Sequence, residues 1–246
     1  MQRPLPLEEI IRGAFLGPWR NLRVFSRALA VPLVSLVALT LTWHYAKKTL
    51  PYAVGWLFYL LYGLVFTLLA VACHRLVLIG SDTVTWRSAS HWSWRHTRFL
   101  AWLFAIWFVQ QATTFVVLNA AAFVAGMISN AAVLKLVEDS DWVTFLARIP
   151  GLYIFARLCV VLPATAIDRT PGLRRTWELT RRNGWRLVIV VGVLPWVISY
   201  MIRMLHRENP SVFETSLLVF SWTALFVVEI AALSLSYREL TNEADT

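Results

Sequence analysis

The sequence has 246 residues, of which 58% are hydrophobic and only 15% are charged. Soluble globular proteins contain about 45–50% apolar residues, so this composition argues against a soluble protein. The formal net charge is +9, which in a soluble protein would indicate nucleic-acid binding. Here the basic residues flank apolar stretches, so they indicate membrane topology and anionic lipid, and we expect no nucleic-acid partner.

Six apolar stretches alternate with short connections along the chain. Each approaches the roughly 20 residues that a helix needs to cross a bilayer. Lipid offers no hydrogen-bond partner to an open backbone, so spanning segments are expected to be helical. The predicted fold is all-α: one polytopic membrane domain covering residues 1–246, with spans near 28–46, 52–79, 99–128, 142–165, 187–205 and 213–237.

The basic residues are unevenly divided between the two sides of the predicted bundle. Sixteen of the 23 lie before span one, near the connections that follow spans two and four, or at the end of span six. Arg148 and Arg157 fall in span four, and the other side holds only five, namely Lys47, Lys48, Lys135, Arg203 and Arg207. Short connections follow the positive-inside rule, so both termini are predicted to be cytoplasmic.

Residues 6–16 form an amphipathic pattern ahead of the first span. Leu7, Ile10 and Ala14 share one helical face, Pro6 suits a first turn, and Gly17-Pro18 interrupts the pattern. We predict a helix lying in the headgroup layer. A helix that binds a partner protein is the alternative.

Segment 81–98, after span two, interleaves aromatic and basic residues. Such a pattern could stack on single-stranded nucleic acid, but beside a membrane it is typical of interfacial anchors. His91 and His96 have only Asp82 as a nearby acidic residue, so we expect no metal site. Cys73 and Cys159 both fall in predicted spans and read as small apolar residues.

The most distinctive segment follows span four. Thr170 and Pro171 predict a helix start, and Asn183-Gly184 predicts its stop. One face carries Leu173, Trp177, Thr180 and Gly184, and the other carries Arg174, Arg175, Arg181 and Arg182. We predict a short amphipathic helix on the cytoplasmic leaflet. Its role is either a positive-inside clamp or recognition of an anionic lipid headgroup or an acidic partner, with contacts from the four arginines, Trp177 and Trp185.

Four polar residues fall at one level of the predicted spans. Arg157 in span four and Glu229 in span six lie at similar depth, and Gln110 and Gln111 of span three reach the same level. Ionisable groups inside a membrane are costly and are functional candidates by default. We predict that Arg157 pairs with Glu229 and that a glutamine joins them, in a layer that fixes helix register or lines a pathway.

Three motifs occur together in a group of bacterial inner-membrane proteins. They are HRLVLIG at the end of span two, LPATAIDR followed by LRRTWELTRRNGWRL after span four, and SYREL at the end of span six. The chain thus resembles the YciC-like proteins and the membrane domain attached to some glycerophosphodiester phosphodiesterases. The resemblance implies a six-helix membrane domain, and it implies that the membrane is the bacterial inner membrane. It does not imply hydrolysis, because in those enzymes the chemistry belongs to a separate soluble barrel.

The sequence carries no hydrolase elbow, phosphate-binding loop, zinc-protease motif or dinucleotide fingerprint. We therefore predict no catalytic residue and no cofactor. The leading interpretation is a non-enzymatic scaffold or accessory protein for an envelope component, in contact with the bilayer and with another membrane protein. A transporter or channel is the alternative, because Pro150-Gly151 and Pro195 could break spans four and five. A lipid-modifying enzyme comes third.

Overall fold

The computed structural model describes residues 4–46, 49–80, 84–127, 141–169, 171–204 and 211–242. Over these residues the chain is helical and contains no strand. The helices are α1 (Leu7–Arg20), α2 (Leu22–Ala46), α3 (Tyr52–Leu78), α4 (Trp86–Ser90), α5 (Trp94–Met127), α6 (Asp141–Leu158), α7 (Val161–Ala166), α8 (Leu173–Leu179), α9 (Gly184–Val188), α10 (Leu194–Met204) and α11 (Val212–Asn242). A π-helical turn, Ile189–Val193, joins α9 to α10.

Six helical segments within the described residues are long and apolar enough to span a membrane. They are α2, α3, α5, α6 with α7, α9 with α10, and α11, which confirms the number and order of the predicted spans. The first begins at Leu22 rather than 28, and the last runs to Asn242 rather than 237. Hydropathy detects only the apolar part of a helix, whereas backbone hydrogen bonding continues into polar flanks. The predicted ends at 128 and 205, and Lys47, Lys48, Lys135 and Arg207, lie outside the described residues.

The tightest part of the bundle lies where the end of α3, all of α7 and the second half of α11 meet. Residues 69–74, 161–166 and 230–234 are continuously buried there. By contrast, α5 turns large apolar side chains outward, among them Phe104, Phe108 and Phe115. An outward apolar face of this kind suits contact with lipid.

Helix α6 packs unusually close to its neighbours through glycine. A Cβ added at Gly151 would lie 2.8 Å from the Gln110 carbonyl oxygen on α5, and one at Gly184 would lie 2.8 Å from the Tyr153 ring. Small residues allow such close backbone approach between helices in a membrane. These contacts fix α6 between α5 and α9.

The helix interruptions predicted at Pro150 and Pro195 occur at other positions in the structure. Pro150 lies inside the continuous helix α6, and span four is instead interrupted at Cys159–Val160, between α6 and α7. Pro195 lies inside α10, directly after the π-helical turn. A π turn changes the hydrogen-bond register, which helps a membrane helix accommodate a proline that has no N–H to donate.

Helix α1 is longer than predicted and packs on the bundle. It continues through Gly17 and Pro18 to Arg20. Its Ile10 and Ala14 are buried, and it lies along α11, where a Cβ added at Gly13 would lie 3.0 Å from Leu235 Cδ1. Helix α1 is therefore held against the bundle by its contact with α11.

Candidate functional site

The segment from α8 to α9 presents one inward and one outward face. Thr176, Thr180, Asn183 and Gly184 are buried, and their three- and four-residue spacing places them on one side. Of the four residues predicted to share one face, Thr180 and Gly184 are buried, whereas Leu173 is 44% and Trp177 39% exposed. Small side chains allow the close contact of Gly184 with α6, which a large apolar residue would prevent. Helix α8 also differs in its bounds: it begins at Leu173 and ends at Leu179, and Thr170 lies outside the described residues.

The outward face is strongly basic. Arg174, Arg175, Arg181 and Arg182 are all exposed. Arg174 Nε donates to Glu178 Oε1 at 3.1 Å, but an exposed i,i+4 pair contributes only about 0.3–0.5 kcal/mol. We call these four arginines, together with the exposed Trp177 and Trp185, the arginine surface.

A buried arginine holds α8 against α6. The Arg157 side chain donates from Nε to Thr180 Oγ1 at 3.1 Å, and from Nη2 to the carbonyl oxygen of Trp177. Its guanidinium carbon lies 3.4 Å from the Trp177 ring centroid, and Nη1 lies 3.4 Å from the Tyr153 hydroxyl oxygen. The last carbonyls of a helix lack partners within it and carry partial negative charge, so Arg157 caps α8 electrostatically.

The predicted pair of Arg157 with Glu229 is not formed. Arg157 is only 4% exposed, and its side chain donates hydrogen bonds to Tyr153, Trp177 and Thr180. No ion pair joins Arg157 to Glu229 within 4.0 Å in the part of the chain that the structure describes. Arg157 therefore contacts a helix-end carbonyl group and aromatic rings instead of the predicted carboxylate of Glu229.

The two glutamines of the predicted layer lie in different environments. Gln110 is partly buried where α5 approaches Gly151 of α6, and Gln111 is exposed on α5. Glu229 is partly buried on α11. The four residues therefore do not form one hydrogen-bonded layer around Arg157.

The start of the described chain is clamped to the same segment. The backbone N–H of Leu5 donates to Asn183 Oδ1 at 2.9 Å, and Arg186 donates to the Leu5 carbonyl oxygen. Leu5 itself is buried. The α8–α9 segment is thus held by α6 on one side and by residue 5 on the other, so the arginine surface has a fixed position.

Sequence reasoning missed a cluster around Asp168. Its carboxylate lies 3.1 Å from Arg95, 3.3 Å from Arg98 and 3.8 Å from Arg75. Arg75 also donates to the Ala166 carbonyl oxygen at 3.3 Å. Asp168 has a positive φ of 63°, so the chain turns sharply there. The sequence does contain one signal for this cluster. An acidic residue lies at the end of a span, and it faces a connection that is rich in arginine.

His74 of α3 and Ser234 of α11 form a second contact that sequence reasoning missed. His74 Nδ1 lies 2.7 Å from Ser234 Oγ, which donates to the Ile230 carbonyl oxygen at 2.7 Å. The serine proton is therefore directed at Ile230, and the histidine donates to the serine. Both residues are at most 1% exposed, so the pair joins α3 to α11 rather than facing a substrate.

No group of three or more His, Cys, Asp or Glu side chains is placed to hold a metal ion within the described ranges. Cys73 and Cys159 are both buried free thiols. Comparison of the chain with protein-family models, with curated proteins and with solved structures finds no match. The functional argument therefore rests on the geometry of the chain itself.

Proposed function

We propose that this chain is a multi-pass protein of the bacterial inner membrane that acts as a non-enzymatic scaffold or accessory protein for an envelope component. In this proposal both termini are cytoplasmic, and the arginine surface contacts anionic phospholipid on the cytoplasmic leaflet. The chain belongs, in the same proposal, to the YciC-like group that its motifs resemble. The observation that carries it is the fixed position of four exposed arginines, held by the buried Arg157.

Energetics favour lipid as the contact of the arginine surface. Each arginine near an anionic leaflet contributes about 1 kcal/mol, so four contribute about 4 kcal/mol at low salt. The segment is already folded against α6 and Leu5, so binding need not order it first. Trp177 and Trp185 add amphipathic rings suited to the headgroup level.

The linings of two cavities formed by described residues support a scaffold over a transporter. A groove of about 710 Å³ opens between α1–α2 and α10–α11, and its lining is almost wholly apolar. A second cavity of about 290 Å³ lies between α3, α4 and α5. Neither is lined by Arg157 or Glu229, the ionisable residues that a polar pathway would use. The interruption at Cys159–Val160 and the π turn in span five are the observations that keep a transporter as the second candidate.

Lipid retention tests the contact. The variant with R174Q, R175Q, R181Q and R182Q is compared with R12Q, R20Q, R23Q and R27Q, which removes four exposed arginines from α1 and α2. Native mass spectrometry after gentle extraction measures retained phosphatidylglycerol. We expect the first variant to lose about tenfold or more of the bound lipid and the control to lose less. Equal losses would show that total charge, and not the arginine surface, governs binding.

Gentle extraction and identification of co-purifying proteins tests the scaffold. We expect a stoichiometric envelope protein whose recovery falls when the Arg157 contacts are removed. A lone monomer that moves a solute across reconstituted vesicles would overturn the scaffold and support the transporter.

A further inference from the structure

A polar cavity lies away from the arginine surface. It has a volume of about 290 Å³ and is enclosed by the end of α3, by α4 and by the start of α5. Its polar lining comes from six side chains: Arg75, Ser88, His91, Ser93, Arg95 and His96. None of the described residues that line it is acidic. Its polar lining therefore supplies hydrogen-bond donors and positive charge, beside apolar residues of α3 and α4.

The local charge is only partly balanced. Among the residues that the structure describes, Asp168 is the carboxylate that pairs with Arg75, Arg95 and Arg98, and these three guanidinium groups exceed its charge by two. Each guanidinium has five N–H donors, and one carboxylate cannot use those of three arginines. Arg98 Nε is buried and has no hydrogen-bond partner. This excess is the condition under which an anion binds favourably.

His96 is set to donate into this region. Its Nδ1 accepts the backbone N–H of Ser93 at 3.0 Å and lies 2.9 Å from Ser93 Oγ. An Nδ1 that accepts leaves the proton of the neutral ring on Nε2, which is then a donor. The ring is 4% exposed and packs against Trp92, whose Nε1 donates to Thr97 Oγ1 at 3.0 Å. The orientation of the imidazole is thus fixed before a ligand arrives.

We infer that this cavity binds the phosphate group of a phosphate ester, with Arg75 and Arg95 as charged donors and His96 as a neutral one. Guanidinium groups suit the oxygens of phosphate, and the cavity is lined by guanidinium groups from both α3 and α5. A single water is allotted about 30 Å³, so 290 Å³ also admits the organic part of an ester. The ester is either a phospholipid headgroup or a soluble compound. The site goes beyond the proposed function, because none of the arginines of the arginine surface lines it.

Binding to the intact protein in a maltoside detergent distinguishes the two sources. Inorganic phosphate and glycerol 1-phosphate are titrated calorimetrically in phosphate-free buffer, and phosphatidic acid is titrated by native mass spectrometry. Saturable binding of the soluble probes indicates a soluble ester, and selective binding of phosphatidic acid indicates a headgroup. If none of the three probes binds saturably, the inference is wrong.

Two variants test whether the probe binds in the cavity. Arg95→Gln removes a charged donor, and Arg87→Gln is the control, because Arg87 is exposed on α4 and packs over Trp86 rather than lining the cavity. We expect Arg95→Gln to raise the Kd of the bound probe at least tenfold and Arg87→Gln to leave it within about twofold.

Arg95 also pairs with Asp168, so a milder substitution is needed to separate loss of binding from loss of folding. Arg95→Lys keeps the charge but loses the planar fork, so we expect its Kd to rise at least threefold in protein that melts as a single transition. The four-arginine variant of the arginine surface should bind the probe as the unmodified protein does. Equal affinity in Arg95→Lys and the unmodified protein, or equal losses in Arg95→Gln and Arg87→Gln, would overturn the inference.

Discussion

The guanidinium carbon of Arg157 lies 3.4 Å above the centre of the Trp177 ring, although α6 and α8 are separated in sequence by α7 and a sharp turn at Asp168. This contact folds the connection after span four back along the span. The contact holds this basic segment against the bundle in a fixed position. Removing it is the most direct way to separate the position of the arginine surface from its charge.

We expect Arg157→Gln to lower the free energy of unfolding by about 2–4 kcal/mol, from the lost charged hydrogen bonds and the lost stacking. We also expect α8 to detach before the spans unfold. Limited trypsin digestion reports this detachment, because the exposed Arg174, Arg175, Arg181 and Arg182 become better substrates when the backbone is free. Arg148→Gln on the exposed side of α6 is the matched control. Unchanged digestion in Arg157→Gln would mean that Arg157 does not hold α8.

The unpaired arrangement of Arg157 and Glu229 predicts a near-zero coupling energy. Unfolding of Arg157→Gln, Glu229→Gln and the double variant is measured in one detergent. Because the two residues share no ion pair, we expect the effects to add within about 0.5 kcal/mol. A coupling energy above about 1 kcal/mol would show that Arg157 and Glu229 interact as the sequence predicted.

The glycine contact between α5 and α6 predicts a large cost for one methyl group. In Gly151→Ala the new Cβ meets the Gln110 carbonyl oxygen at 2.8 Å, so the two helices must separate. We expect a loss of about 1–3 kcal/mol in thermal or denaturant unfolding. Gly63→Ala on α3 is the control, since its Cβ meets nothing within 4 Å. It should be neutral or slightly stabilising, and similar losses at both sites would contradict the close contact.

The hydrogen bond between Leu5 and Asn183 predicts a loss of stability in Asn183→Ala. In Asn183→Ala the buried N–H of Leu5 loses its acceptor, which costs about 1–3 kcal/mol. Hydrogen exchange at Leu5 should accelerate in the same variant. Asn21→Ala, an exposed asparagine that bonds only to the Gly17 carbonyl oxygen, is the comparison and should change stability little. Protection of Leu5 that survives in Asn183→Ala would show that Arg186 alone holds it.

Composition and periodicity predict the six spans because burial in lipid is a property of whole segments. A helix that must satisfy its own backbone leaves few alternatives, so number and order follow from apolar length. Helix ends are less predictable, as at Leu22 and Gly184, since polar residues extend a helix without an apolar signal.

The partner of Arg157 could not be found by matching opposite charges. Its ligands are a carbonyl group, a hydroxyl and an aromatic ring on a short helix, and none of these differs in sequence from its many equivalents elsewhere. The burial of Thr176 was missed for a related reason. The hydroxyls of Thr176 and Thr180 donate to backbone carbonyls, which allows both side chains to be buried although hydropathy gives no signal for it.

Cysteine labelling in whole cells tests the membrane arrangement on which the account depends. Arg175→Cys places a thiol on the exposed side of α8, and the native Cys73 and Cys159 are buried and give little background. A membrane-impermeant maleimide should leave Arg175→Cys unlabelled in intact bacteria with a permeabilised outer membrane, and should label it once the inner membrane is opened. Labelling before the inner membrane is opened would place the arginine surface on the periplasmic side and contradict the account.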